Sequence, residues 1–263
     1  MLRSIISNES YIFLAVFAAL ALVALIYLLS PKVSTLVEDI TTRGAELRER
    51  VHEMFARHDY SPDNRTVLVI GCVDTALEHH RALWLLKDAK LYGSAFAFLR
   101  LMFDALVRAL WLDKVACTEQ IEEVTRDEFY WPEMRKMLNQ IKRAYFGPPP
   151  DAQQQADKEK VEFAKAVDQL FESFKDAWPS MNSYTHSGAL QIARRFSFDE
   201  VRPNYTEGET VQVLNFANRA LMTFTGLLLD SLGAEREMRE LRTLFMQYCE
   251  EFNERLKRLA QAE

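Results

Sequence analysis

The chain has 263 residues, 49% hydrophobic and 27% charged, with only eight Gly and eight Pro. That balance excludes a disordered chain, and the scarcity of turn residues favours a few long helices over a many-stranded sheet. The net charge of −6 excludes a global basic footprint for nucleic acid, and three scattered cysteines (Cys72, Cys117, Cys249) suggest neither a disulfide framework nor a Cys-based metal cluster.

Residues 1–10 form a short tail. Tyr11 to Leu29 then runs without a charge, Pro or Gly, with Tyr11 and Tyr27 near its two ends. An apolar helix of that length spans the roughly 30 Å hydrocarbon core, so residues 11–30 are expected to form one transmembrane helix. Arg3 precedes the segment, whereas Lys32, Arg43, Arg48 and Arg50 follow it. The charge bias therefore places the large domain in the cytoplasm, at a bacterial inner (plasma) membrane.

Residues 31–60 read as a membrane-proximal helix, Ser34 to Arg57, with Ile40, Leu47, Val51 and Met54 on one stripe that Gly44 interrupts. The stripe is expected to pack on the domain or on the membrane surface, with a short coiled-coil self-association as the alternative, and a protein partner is a further expectation. Residues 61–263 are expected to form a helical bundle domain. Ser61 and Pro62 signal a helix start, as N-cap and first helical residue, and the helix runs through Thr66–Val73 to Lys87. Ser94 to Asp113 is a second apolar helix, expected to pair with the first as a hairpin at the centre of the core. A short helix capped by Thr118 and a helix from Trp131-Pro132 to Phe146 follow, before the break Gly147-Pro148-Pro149-Pro150. Beyond it come a helix ending at Trp178, before Pro179, a brief helix near Gly188–Phe196, a helix capped by Thr206, and a charged terminal helix, Glu235 to Ala260. The fold class is all-α with a single N-terminal transmembrane helix.

Three constellations carry chemistry. Arg100, Asp104 and Arg108 recur at a spacing of four among Leu, Met, Phe and Trp, which places them on one helix face. Such a face suits either the floor of a site for phosphate or carboxylate, or an ion network between helices. Ser183-Tyr184-Thr185-His186-Ser187-Gly188 is a polar, turn-prone stretch followed by Arg194 and Arg195. His186, with Tyr184 beside it, is the candidate acid or base, unless the stretch is a capping loop in which His186 bonds a carbonyl; Arg100, Asp104, Arg108 and Arg194 are the candidate ligand-binding residues. The third, Asp74 with Glu78-His79-His80, does not make a metal site, because adjacent histidines point apart on a helix. Glu49-x-x-His52 is a single copy of a spacing that di-iron bundles need twice. No metal and no cofactor are expected, since no zinc, nucleotide or nucleophile-elbow motif occurs. Arg135, Lys136, Lys142 and Arg143 lie along one helix and serve either as a solvated face or as a contact to RNA or anionic headgroups.

The stretches Leu99-Arg100-Leu101-Met102-Phe103-Asp104-Ala105-Leu106 and Tyr184-Thr185-His186-Ser187-Gly188 resemble bacterial helical domains in the neighbourhood of HEPN-like and abortive-infection proteins, over roughly Arg65 to Ser231. That resemblance implies a helical fold and a phage-defence or stress context. HEPN ribonucleases carry Arg, four to six residues, then His; His186 has no Arg at that distance before it. The reading is therefore a membrane-anchored helical domain, non-enzymatic or cryptically enzymatic, that binds a partner or small anionic ligand. The alternatives are a HEPN-like ribonuclease and a helical scaffold recruiting another protein to the membrane.

Overall fold

The computed structural model describes residues 32–57, 59–60, 63–146, 169, 172–174, 177–197, 200–201 and 203–261. Eight helices lie among them: α1 (Lys32–Arg57), α2 (Asn64–Asp88), α3 (Tyr92–Lys114), α4 (Thr118–Thr125), α5 (Met134–Phe146), the short α6 (Ala189–Ala193), α7 (Glu207–Ser231) and α8 (Glu235–Gln261). Residues 177–185 are also helical. Two two-residue strands, β1 (Phe196–Ser197) and β2 (Glu200–Val201), pair antiparallel between α6 and α7.

α2 and α3 form the expected hairpin, and α7 lies against α3. The core is built where their apolar stripes meet: Leu83, Met102, Phe103, Leu106, Leu110, Phe224 and Leu228 are wholly buried. Phe103 is its centre, stacked face to face on Phe174 and meeting Phe224 edge-on at 4.8 Å. Burying side chains of this size contributes about 2 kcal/mol each. α1 packs on α7, and its stripe (Ile40, Leu47, Val51, Met54) is buried in the same core. Gly44 does not weaken that stripe but allows α1 to approach closely, since a Cβ there would lie 2.4 Å from Trp84 Cζ2 and 2.8 Å from Asn218 Oδ1.

The expected membrane-spanning helix requires correction. No helix of the described residues is long and apolar enough to cross a membrane. The most apolar helices, α3 and α7, are interrupted by Arg100, Asp104 and Arg108 and by Glu209, Arg219 and Asp230, and they bury their apolar surface against each other. The segment that carried the expectation, residues 11–30, lies outside the described residues. The single-pass, integral-membrane character and the inner-membrane localisation have no support in any described helix and are withdrawn.

Several boundaries also move. Asp63, not Ser61, caps α2, accepting the Thr66 N–H at 3.0 Å. Cys117 rather than Thr118 occupies the cap of α4, its N–H donating to Gln120 Oε1 at 3.0 Å. Helical structure runs through Pro179 instead of stopping before it. Thr206 does cap α7, with Glu209 closing the reciprocal bond of a capping box. Arg65 caps the other end of α3, its guanidinium donating to the carbonyls of Leu112, Asp113 (3.2 Å) and Ala116 (2.7 Å).

One polar network crosses the core. The Trp84 indole N–H donates to His80 Nδ1 at 3.0 Å, which leaves Nε2 to carry the proton and donate to Asn218 Oδ1 at 3.0 Å. Asn218 Nδ2 donates to Tyr248 Oη at 3.2 Å, and the Tyr248 hydroxyl donates to Asn215 Oδ1 at 3.0 Å. His80 and Asn218 are fully buried. Burial pushes the His80 imidazole down to about 4; its hydrogen bond to Asn218 opposes the shift, and the charge of Arg48 adds to it.

Candidate functional site

The site is built on one ridge of α3. Tyr92, Phe96, Arg100, Asp104 and Arg108 recur every four residues, so their side chains form one row that climbs the helix while turning about 40° around it at each step. The upper end is aromatic. Phe96 meets Tyr184 and Tyr205 edge-on, each at 5.4 Å, and Tyr92 packs on Tyr205 at 5.7 Å. Gly93 fits beneath them because a Cβ would lie 2.8 Å from Tyr205 Oη.

One turn further along stands Arg100. Its Nη1 lies 2.6 Å from His186 Nε2. A guanidinium only donates, so Nε2 is the acceptor and the imidazole is neutral with its proton on Nδ1. The guanidinium carbon sits 4.7 Å from the Trp178 ring centroid, and Nη2 is 4.0 Å from Asp104 Oδ2. Arg100 Nε is buried and has no hydrogen-bond partner. The Arg100 side chain is only 17% exposed, so its charge is largely removed from water with a loose carboxylate partner. Burial raises the Asp104 carboxyl above its ordinary value, while Arg108 and Arg100 pull it down.

The loop holds His186 through Ser183. The Ser183 carbonyl accepts the Gly188 N–H at 2.7 Å, and its hydroxyl accepts the Leu190 N–H at 3.0 Å. A side chain at Gly188 would collide with Ser183 Oγ, and Ser187 turns the chain with φ of 52°. His186 is thus presented on a closed turn with its ring exposed.

Arg100, Asp104 and His186 are therefore brought together, but not every candidate joins them. Arg194 forms an ion pair with Glu209 at the cap of α7 and is not drawn to Arg100. Tyr184 is held in the aromatic cluster. Burial, then Tyr205, push its hydroxyl up to about 12 against the pull of Arg194, so it donates a proton only as a hydrogen bond at neutral pH. His79 meets Phe98 edge-on at 5.5 Å while His80 is buried, the divergence expected of neighbours on a helix. Among the described residues no group of three or more His, Cys, Asp or Glu is placed to hold a metal ion. On α5, Lys142 reaches Glu172 at 3.7 Å, and Arg135, Lys136 and Arg143 are exposed.

Sequence reasoning passed over Trp178 and Trp131, whose rings cover Arg100 and Arg108, each at 4.7 Å. Both are followed by Pro, which signalled a boundary but not a cation partner.

A family model described as a family of unknown function, DUF6988, matches residues 73–256, a stretch containing α3, the His186 loop and both tryptophans. No curated protein and no solved structure matches the chain.

Proposed function

The chain belongs to the DUF6988 family, and we propose that its shared region binds a small anionic ligand, bearing a phosphate or carboxylate, at Arg100 and His186. The observation that carries this reading is the state of the Arg100 guanidinium. It is mostly buried, stacked on Trp178, bonded to a neutral ring nitrogen and only loosely approached by Asp104, with Nε lacking an acceptor. A buried charged donor left without an acceptor is costly, and an oxyanion supplies what is missing through paired, charge-assisted bonds. His186, exposed at the edge with its proton on Nδ1, is itself a second donor available to that oxyanion. No catalytic step is required of this arrangement.

The experiment is calorimetric titration of the full chain with inorganic phosphate, simple phosphonates and dicarboxylates. Replacing Arg100 by Gln is expected to weaken binding at least ~10-fold, which is about 1.4 kcal/mol. Equal binding by wild type and Arg100→Gln, or none by either, contradicts the reading.

The Arg100–His186 contact of 2.6 Å also favours a second reading, a ribonuclease in which His186 serves as base and Arg100 steadies the phosphate. Single-stranded RNA incubated with wild type and His186→Ala separates the two: cleavage that disappears in the variant supports catalysis, and intact RNA in both leaves ligand binding.

A further inference from the structure

Arg108 repeats the surroundings of Arg100 two turns along the ridge. Its guanidinium carbon is 4.7 Å from the centroid of Trp131, and its Nε is buried without a hydrogen-bond partner. No carboxylate of the described residues lies within ion-pairing distance of it. The nearby Cys72 thiol does not neutralise it, because burial pushes that thiol up to about 11. Asp104 stands midway between the two arginines in sequence and feels the charge of both. The ridge thus reads cation, acid, cation, with a tryptophan face behind each cation. Eight residues of helix separate the cations by about 12 Å along the axis.

We infer that this ridge is one elongated site for a ligand carrying two acidic groups about 12 Å apart, joined by a middle that is uncharged or donates hydrogen bonds. One acid sits on Arg100 and His186, the other on Arg108 before Trp131, and the middle crosses Asp104. The inference rests on the Arg100–His186 reading and extends it from one anchoring point to two. Asp104 supplies the selectivity: a continuous polyanion places charge against a half-buried carboxylate, whereas a neutral link with a donor satisfies it. Two anchors on one rigid helix also make the second contact intramolecular, so a ligand of matching length binds far more tightly than either half.

The test is calorimetric titration of the full chain with α,ω-alkanebisphosphonates of graded length, beside alkylmonophosphonates of the same chain lengths. The expected profile has an optimum at the bisphosphonate that spans the two arginines, bound about 10- to 100-fold tighter than the matching monophosphonate. Arg108→Gln is expected to erase that advantage, bringing the optimal bisphosphonate down to the affinity of the matching monophosphonate. Asp104→Asn is expected to improve binding of linear polyphosphate about 10-fold. A flat length profile with monophosphonate still bound overturns the two-point site and leaves the Arg100 reading standing. Absence of binding by every phosphonate overturns both. The length profile is measured on the unaltered chain, so it decides the matter even if a variant fails to fold.

Discussion

Two histidines in this molecule stand in opposite circumstances. His80 is fully buried, and both ring nitrogens are matched in a network that closes through Trp84, Asn218, Tyr248 and Asn215. His186 is exposed, its Nε2 engaged by Arg100, whose own Nε has no acceptor. The first network is complete within the chain and joins α2, α7 and α8, and Asn218 Nδ2 also reaches the Ile40 carbonyl of α1 at 3.5 Å. The second is left open at the guanidinium. A closed polar network gives the core a single arrangement, because any slip breaks several bonds at once. An open one adds little to stability and leaves chemistry for something outside the chain. The comparison separates a polar cluster that specifies the fold from one that awaits a ligand.

The largest effect should come from opening the closed network. Asn218→Leu removes the acceptor of His80 and the donor to Tyr248 in a fully buried setting. With each orphaned group costing 1–3 kcal/mol, a loss of about 4 kcal/mol is expected in chemical denaturation. Its counterpart in the open cluster, His186→Ala, should change stability by less than about 0.5 kcal/mol.

The same contrast has a pH signature. His80 is held neutral, with its value down to about 4 in the folded chain against about 6.5 when unfolded. The unfolded state therefore binds the proton first as pH falls. Stability present above pH 6.5 is lost between 6.5 and 4, by about 3 kcal/mol in total. Urea midpoints taken from pH 7 to pH 4 on wild type and His80→Gln check this, since the variant should lose that part of the acid slope. Identical slopes would mean that His80 is not held neutral by the core.

Smaller effects of opposite sign are expected at two helical glycines. A Cβ on Gly44 meets the Trp84 ring and Asn218 Oδ1, so Gly44→Ala should cost about 2 kcal/mol. Gly71 faces open space, and Gly71→Ala should stabilise by up to about 1 kcal/mol through helix propensity alone. Thermal unfolding of the pair tests whether close approach, rather than glycine content, is what the network demands.

Much of this was legible because it is local. The spacing of four put Arg100, Asp104 and Arg108 on one face, and the helix identity of Thr66–Val73 followed from the absence of a partner strand. The Thr206 cap was visible as a Thr before a helix with acids in its first turn, and the structure adds the reciprocal bond from Glu209. What was not legible is long-range. His80 and Asn218 are 138 residues apart and Arg100 and His186 are 86 apart, so no window of sequence contains either pair. Gly44 looked like a flaw in a stripe until Trp84 and Asn218 were seen against it. The pairing of Arg194 with Glu209, fifteen residues on across a turn, was equally out of reach of the sequence. The starts of α2 and α4 were misplaced by one or two residues because Ser61 and Thr118 are capping residue types beside the true caps, Asp63 and Cys117.

The central claim, that the open cluster holds an anion while the closed one holds the fold, is tested most directly by one paired measurement on His186→Ala. Its phosphate affinity and its unfolding free energy are determined side by side with wild type. The account predicts affinity lowered at least about 5-fold, the loss of one charge-assisted bond, with stability unchanged within about 0.5 kcal/mol. Unchanged affinity together with a loss of stability approaching that of Asn218→Leu would contradict it and make the Arg100–His186 contact part of the scaffold.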